Sequence, residues 1–404
     1  MRSEHLTSMR LATTFDLRGW YRRLAADGRP LAWCSAFAPA EALLGLGVLP
    51  VYPENHAAML GALSPERDED QPYSRAAIAA ATAAGYTAPR LCSYAQADLG
   101  VLVGAASPLG ALPGPDLFYA CDSQCAVVAR WGEAVAARLL PRVVPTYVLR
   151  APPPGPLGHT KEQLAGFRAQ LDVHLAELAA RFGLTPDPAR LRAVIAESAA
   201  ANRLWQQCLE LGRQRPAPWT MWEAFTAMAP IVVARGFPEA TDFYRRLLAE
   251  LQERVRLGVA AVPGERRRLL WDAIPVWPRK RWLSTFCQQR GAAVVASTYT
   301  HSWWFDLDAD AGLDGLCARY AWNTMNLPAA QVLDWTLALA RDFGADGVIC
   351  HWNRSCGIWN SYVKRRLPGL RAAGLAVYQL DADMVDPAAF DAERIGTELA
   401  AFLG

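Results

Sequence analysis

Nine cysteines are spread over 404 residues, and five of them stand where chemistry is possible. An open parallel sheet gathers its ligands just beyond the carboxyl ends of its strands. Cys121 and Cys125 follow the apolar run 116–120, and Cys350 ends and Cys356 follows the run 347–350. Cys92 lies in the loop-like Arg90-Leu-Cys-Ser-Tyr94, ahead of Asp98-Leu-Gly100. Thiolates from three separate strand ends can converge on one soft metal centre, and thiolates select iron–sulfur clusters, zinc or Cu(I). The competing reading makes them buried small hydrophobes, because free cysteine is among the most buried residue types. The pattern alone leaves both open.

Other chemistries lack their signatures. There is no GxxxxGK[ST] phosphate loop, no GxGxxG opening a helix after a strand, no HExxH and no CxxC. Gly45-Leu46-Gly47 imitates a dinucleotide fingerprint, but Pro50 lies where its third glycine belongs and a strand follows instead of a helix. Lys and Arg total 41 against 39 Asp and Glu, a net charge of +2 with no basic stripe, which argues against nucleic acid as the main partner. An apolar content of 52% is incompatible with a disordered chain. Residues 1–30 carry Arg2, Glu4, Arg10, Asp16, Arg18, Arg22 and Arg23 with no continuous apolar core, so they do not read as a secretory signal. No run of ~18 uncharged apolar residues predicts a membrane span. The expectation is a cytoplasmic protein, without membrane association, whose cysteines are free thiols or metal ligands, since nine is too sparse and too odd a number for a disulfide scaffold.

The elements that must position these residues form two α/β stretches around a helical middle. In the first, short apolar runs at 31–35, 48–52, 116–121 and 143–149 alternate with helical patterns at 74–84 and 126–139, as a parallel sheet requires. The run Ala151-Pro-Pro-Pro-Gly-Pro156 breaks the alternation and reads as a domain edge or linker. From about 161 to 260 apolar residues recur at three- and four-residue steps, with Asp187-Pro188 a plausible helix start. The second stretch offers strands at 268–273, 293–297, 347–351 and 376–380, with helices at 328–343 and 360–373. The predicted fold is α/β: two Rossmann-like parallel-sheet domains, 1–155 and 263–404, joined by a helical insertion at 156–262.

Taken in order, the segments Tyr52-Pro-Glu-Asn-His56, Leu91-Cys-Ser-Tyr-Ala95 with Asp98-Leu-Gly100, Cys121-Asp-Ser-Gln-Cys125 with Trp131-Gly-Glu133, and His351-Trp-Asn-Arg-Ser-Cys356 resemble the 2-hydroxyacyl-CoA dehydratase/benzoyl-CoA reductase family. The tail Leu380-Asp-Ala-Asp-Met-Val-Asp-Pro387, with residues 395–403, resembles that family's last strand and helix. The resemblance runs from about Gly19 to the C-terminus. It implies one [4Fe–4S] cluster held between the domains by Cys92, Cys125 and Cys356, with Cys121 as the substitute for Cys125. Glu133, eight residues after the middle ligand in the family pattern, favours Cys125. Cys34, Cys208, Cys287 and Cys317 match no ligand position and read as buried thiols.

The implied activity is radical dehydration. An ATP-dependent iron–sulfur activator, a separate protein, injects one electron. A ketyl radical anion of the acyl-CoA thioester then expels the neighbouring hydroxyl group. A related second subunit completes a heterodimer. Glu54, after the run 48–52, suits proton exchange with substrate, or is simply a helix-start charge favoured by the dipole. Ser35 is placed to bond a thioester oxygen, or to bond locally. His351 and His301, the latter in His301-Ser-Trp-Trp-Phe305, are candidate substrate-lining residues, with hydrogen-bonded structural histidine and aromatic core as the plainer readings. Arg354 suits a CoA phosphate or a nearby carboxylate. Gln96 and Gly357-Ile-Trp359 depart from the residues usual after the first and last ligands, which bears on substrate. Two alternatives stand beside dehydration: a benzoyl-CoA reductase-type subunit, and a non-catalytic cluster-binding scaffold.

Overall fold

The computed structural model describes residues 15–63, 73–88, 90–155 and 158–404. The reading of residues 1–30 therefore falls partly outside the described residues, as does Pro156.

Among the described residues, eight strands form two four-stranded sheets, and every pairing between them is parallel. The first contains β1 (Leu31–Cys34), β2 (Leu49–Val51), β3 (Leu117–Cys121) and β4 (Thr146–Leu149) in the order β2-β1-β3-β4. The second contains β5 (Arg267–Asp272), β6 (Ala292–Ser297), β7 (Gly347–Asn353) and β8 (Ala376–Ala382) in the order β6-β5-β7-β8. All eight overlap the apolar runs expected from the sequence. The runs lack strict alternation because helices cover both sheet faces, and β1, β3 and β6 are buried at every residue.

Between the sheets the chain is helical. Helix Lys161–Phe182 starts in a reciprocal capping box of Thr160 and Gln163. Helix Pro188–Glu210 starts with Asp187 accepting from the Ala189 and Arg190 amides and with proline at its first position, where no amide is needed. Helix Pro238–Arg256 packs along it. One apolar cluster runs through both sheets and this middle, joining Trp33, Trp205, Trp271 and Leu399. A second lies on the second sheet, around Leu270, Val348 and Val363. Among the described residues no helix is long and apolar enough to cross a membrane.

Two close contacts constrain how the helices pack. The Arg366 guanidinium meets the Asp272 carboxylate at 2.9 Å with both side chains fully buried, which ties helix Gly357–Ala372 under the end of β5. Helix Ser93–Leu102 lies so close to helix Tyr73–Ala83 that a Cβ at Gly100 would stand 1.9 Å from the Ala77 carbonyl oxygen. Gly100→Ala is expected to destabilise the chain by about 1–3 kcal/mol, because the helices must part to admit the methyl group. Urea unfolding followed by tryptophan emission checks this, and an unchanged midpoint would refute the close approach.

Candidate functional site

In both sheets the chain leaves the central pair of strands in opposite directions, so the strand order reverses between β1 and β3 and again between β5 and β7. Ligand crevices form beyond the carboxyl ends at such switch points. The segments after β1 (Ala36, Phe37), β3 (Gln124, Cys125), β5 (Ile274) and β7 (Cys356) all line one cavity. Cys92, Glu54, Tyr94, Trp131 and Tyr299 line it too. The two halves meet beside it, where Ser355 Oγ donates to Ser93 Oγ at 3.0 Å and Trp277 Nε1 donates to the Tyr94 hydroxyl at 2.5 Å. Each serine in that bridge is the neighbour of a cavity cysteine.

The three cavity thiols share a local design. Cys92 is the N-cap of helix Ser93–Leu102, with the Ala95 amide on the side that favours its thiolate but no capping hydrogen bond. Cys356 is the N-cap of helix Gly357–Ala372, with the Trp359 amide acting the same way, again without a capping hydrogen bond. Cys125 lies just ahead of helix Val127–Arg138, whose Val127 and Val128 amides favour its thiolate. Amides at a helix start favour the thiolate. Burial opposes them and wins: it pushes Cys92 well above the usual thiol range, Cys125 up to about 12 and Cys356 up to about 11. Repulsion from the neighbouring thiols adds to the rise at Cys92 and Cys125, and Glu54 adds at all three. Left to themselves the thiols stay protonated at neutral pH. A positive centre among them inverts that balance. Among the described residues no group of three or more His, Cys, Asp and Glu is placed to hold a single metal ion. All three cysteines line the cavity.

Glu54 opens helix Pro53–Ala62 and is 9% exposed. Its Oε1 accepts from the Ala36 amide at 2.7 Å and its Oε2 from Gln124 Nε2 at 2.6 Å. Burial raises it to about 7 against these two bonds. Its folded-state value thus lies above its unfolded one, so the native chain holds a proton that the unfolded chain releases between about pH 4.5 and 7. Wild-type stability carries a contribution that falls as pH rises through that window. In the metal-free chain Glu54→Gln is expected to remove this decline, a difference of up to about 3 kcal/mol by pH 8. Chemical denaturation at pH 5 and pH 8 measures it, and parallel pH dependence in both proteins would refute it.

The other sequence candidates are placed elsewhere. The Ser35 hydroxyl accepts from the Cys121 amide at 3.1 Å, joining β1 to β3 behind the cavity. Cys121 is buried, with Sγ 3.2 Å from Ser123 Oγ, and is not among the lining residues. Cys350 is buried within β7. His351 is buried and donates from Nδ1 to the carbonyl of Ile274 at 2.5 Å, so it braces a cavity wall without reaching the interior. His301 bonds the Ser297 carbonyl at 2.8 Å, and burial lowers it to about 4. It lines a neighbouring cavity with Arg213, Trp304 and Arg319. Ser302 and Thr324, hydrogen-bonded at 3.0 Å, belong to the walls of both cavities. Arg354 pairs with Asp381 through two bonds at the surface. Gln96 bonds the Tyr86 carbonyl, while Trp359 lines the cavity. Cys34, Cys208, Cys287 and Cys317 are buried.

Sequence reasoning missed Tyr94, Gln124, Trp131 and Tyr299. The first three lay inside the motifs already singled out, one or two residues from a named group or at the head of a named segment. Tyr299 had no signal beyond following β6. The apolar wall includes Phe37 and Trp303, stacked at 4.4 Å.

Two parallel sheets whose carboxyl edges share a thiol-bearing cavity define an α/β protein with a cysteine site between its halves. Residues 35–404 match the family described as 2-hydroxyglutaryl-CoA dehydratase, D-component. The chain belongs to that family. It is 27% identical over 376 residues to the (R)-phenyllactyl-CoA dehydratase alpha subunit of Clostridium sporogenes, covering 92% of this chain and 88% of that one. It is 27% identical over 380 residues to the (R)-2-hydroxyisocaproyl-CoA dehydratase alpha subunit of Clostridioides difficile, covering 92% and 89%. It is 26% identical over 335 residues to a benzoyl-CoA reductase subunit of Thauera aromatica, covering 77% and 76%.

Proposed function

We propose that this chain is the alpha-type subunit of a 2-hydroxyacyl-CoA dehydratase, working in the cytoplasm beside a related second subunit and an ATP-dependent activator. Its cavity takes a [4Fe–4S] cluster held by Cys92, Cys125 and Cys356. The observation that carries the reading is the convergence of three thiols, each at a helix start and from both halves of the chain, on the cavity that also receives Glu54. Three soft thiol donors lining one cavity suit iron–sulfur chemistry. When bound, the cluster supplies the low-potential electron that makes loss of the 2-hydroxyl group of an acyl-CoA thioester feasible.

The chain's own residues supply the rest. Glu54, near neutrality in its proton affinity and held by Ala36 and Gln124, is suited to take a proton from the acyl chain and release it again. Phe37, Trp303, Met325 and Ile358 give the cavity an apolar wall that excludes water around a reactive acyl group. The phenyllactyl-CoA and 2-hydroxyisocaproyl-CoA dehydratase alpha subunits each match over 92% of this chain, against 77% for the benzoyl-CoA reductase subunit, which favours dehydration over ring reduction.

The test is iron and acid-labile sulfide per chain after purification without oxygen, with low-temperature EPR on reduction. About four of each per chain are expected. Dehydration of 2-hydroxyacyl-CoA substrates should then follow when activator and second subunit are added. Protein still iron-free after anaerobic reconstitution would end the reading.

A further inference from the structure

One buried carboxylate ties together the three helices that deliver Cys92, Cys125 and Glu54. Asp98 sits within helix Ser93–Leu102, the helix capped by Cys92, and is 2% exposed. Its Oδ1 lies 3.3 Å from Nδ1 of His56, two residues after Glu54 on helix Pro53–Ala62. Its Oδ2 accepts from Trp131 Nε1 at 3.2 Å, on the helix that follows Cys125. The far side of His56 is held in turn, with Nε2 3.0 Å from Ser107 Oγ.

A carboxylate in an apolar interior is costly unless its oxygens are bonded, and burial does raise the proton affinity of Asp98. Such a group specifies geometry more than it adds stability. Apolar helix contacts tolerate sliding; a hydrogen bond fixes direction and register. Serine, histidine and aspartate in this order also make the nucleophile of acyl-transfer enzymes. Here the serine oxygen also accepts from the Leu109 amide at 3.2 Å, and the second carboxylate oxygen is committed to Trp131, a wall of the cavity. The network points toward the thiols.

We propose that Asp98 is a positioning residue that, through His56 and Trp131, sets the mutual placement of Glu54, Cys92 and Cys125. This rests on the cluster reading above. Asp98→Ala cuts both arms. Asp98→Asn keeps them, with its carbonyl oxygen accepting from Trp131 and its amide donating to a His56 whose ring proton has moved to Nε2, the nitrogen facing Ser107.

The experiment measures iron retention against a chelator, together with the EPR spectrum of the reduced protein. Asp98→Ala is expected to retain its cluster roughly 10- to 100-fold less tightly and to show an altered spectrum, the range typical of lost support behind metal ligands. Asp98→Asn is expected to restore both. Leu399→Ala, a core truncation in the C-terminal helix, lowers stability without touching the network and is expected to keep wild-type retention and spectrum. Wild-type retention and spectrum in Asp98→Ala would overturn the proposal, as would the same loss in Leu399→Ala at equal stability. If the wild type itself takes up no iron, the cluster reading fails. The positioning role is then read from iodoacetamide labelling of the metal-free chain, where Cys92 and Cys125 are partly exposed. A Cys92-to-Cys125 labelling ratio that changes in Asp98→Ala and returns in Asp98→Asn supports the role, and an unchanged ratio overturns it.

Discussion

Cys92→Ala, Cys125→Ala and Cys356→Ala are each expected to strip the chain of iron and to abolish dehydration, while Cys121→Ala and Cys208→Ala keep both. The size of the effect follows from the donor count. Removing support behind a metal ligand already costs roughly 10- to 100-fold in affinity. Removing the ligand itself takes away one of three covalent anchors and leaves an iron without a protein donor. The controls differ by position alone, because Cys121 and Cys208 are buried thiols that do not line the cavity. Iron analysis and EPR on the five anaerobic proteins decide the matter. A cluster that survives in any of the first three variants would remove that cysteine from the ligand set, and a loss in Cys121→Ala would reopen the choice between Cys121 and Cys125.

Glu54→Gln is expected to lower dehydration about 10²- to 10⁴-fold, the usual contribution of a positioned acid–base group, with iron content unchanged. The substitution is close to isosteric. Its carbonyl oxygen still accepts from the Ala36 amide, and its new amino group bonds Gln124 once that side chain turns its oxygen inward. The Phe37 amide, 3.3 Å from the same Gln124 oxygen, is the contact given up. What is lost is the proton. Burial places the carboxyl near 7, so the form able to accept a proton grows as pH rises through that value. The wild-type rate is expected to climb through neutrality and the Glu54→Gln rate to lack that limb. An unchanged pH profile would show that the proton travels by another route.

The fold was legible because most of its strands, all but the edge strands β4 and β8, are buried nearly throughout and therefore stand out as short apolar runs. Even β2, of three residues, was visible between Gly47 and Pro53. The helical middle declared itself through apolar residues at three- and four-residue steps and the Asp187-Pro188 start. Less legible were the helices Ser93–Leu102 and Gly312–Ala321, whose small residues and mixed polarity give weak periodicity.

At the site, sequence could say which strand ends carry cysteines but not which way each points. A residue inside a strand belongs to the sheet: Cys121 is the last residue of β3 and Cys350 lies within β7. The cavity belongs to the residues a few steps later, where the backbone has left the ladder, so Cys125 and Cys356 line it. Ser35 fails to reach it for a related reason, since its hydroxyl is the nearest partner for the Cys121 amide. His301 was read as part of the same wall, and the hydrogen-bonded pair of Ser302 and Thr324 stands between it and the thiols. Such partitions depend on contacts between residues far apart in the chain, and no local pattern encodes them.

The thiols come from both halves of the molecule: Cys92 and Cys125 with the first sheet, Cys356 with the second. A cofactor gripped by all three would therefore also be a staple that closes the stretch from Cys92 to Cys356 into a loop. Long closures remove much freedom from the unfolded ensemble, and binding free energy of this kind is folding free energy. On the proposed reading, oxygen that destroyed such a cofactor would do mechanical damage as well as chemical, because the two halves would lose a shared anchor together with the electron carrier.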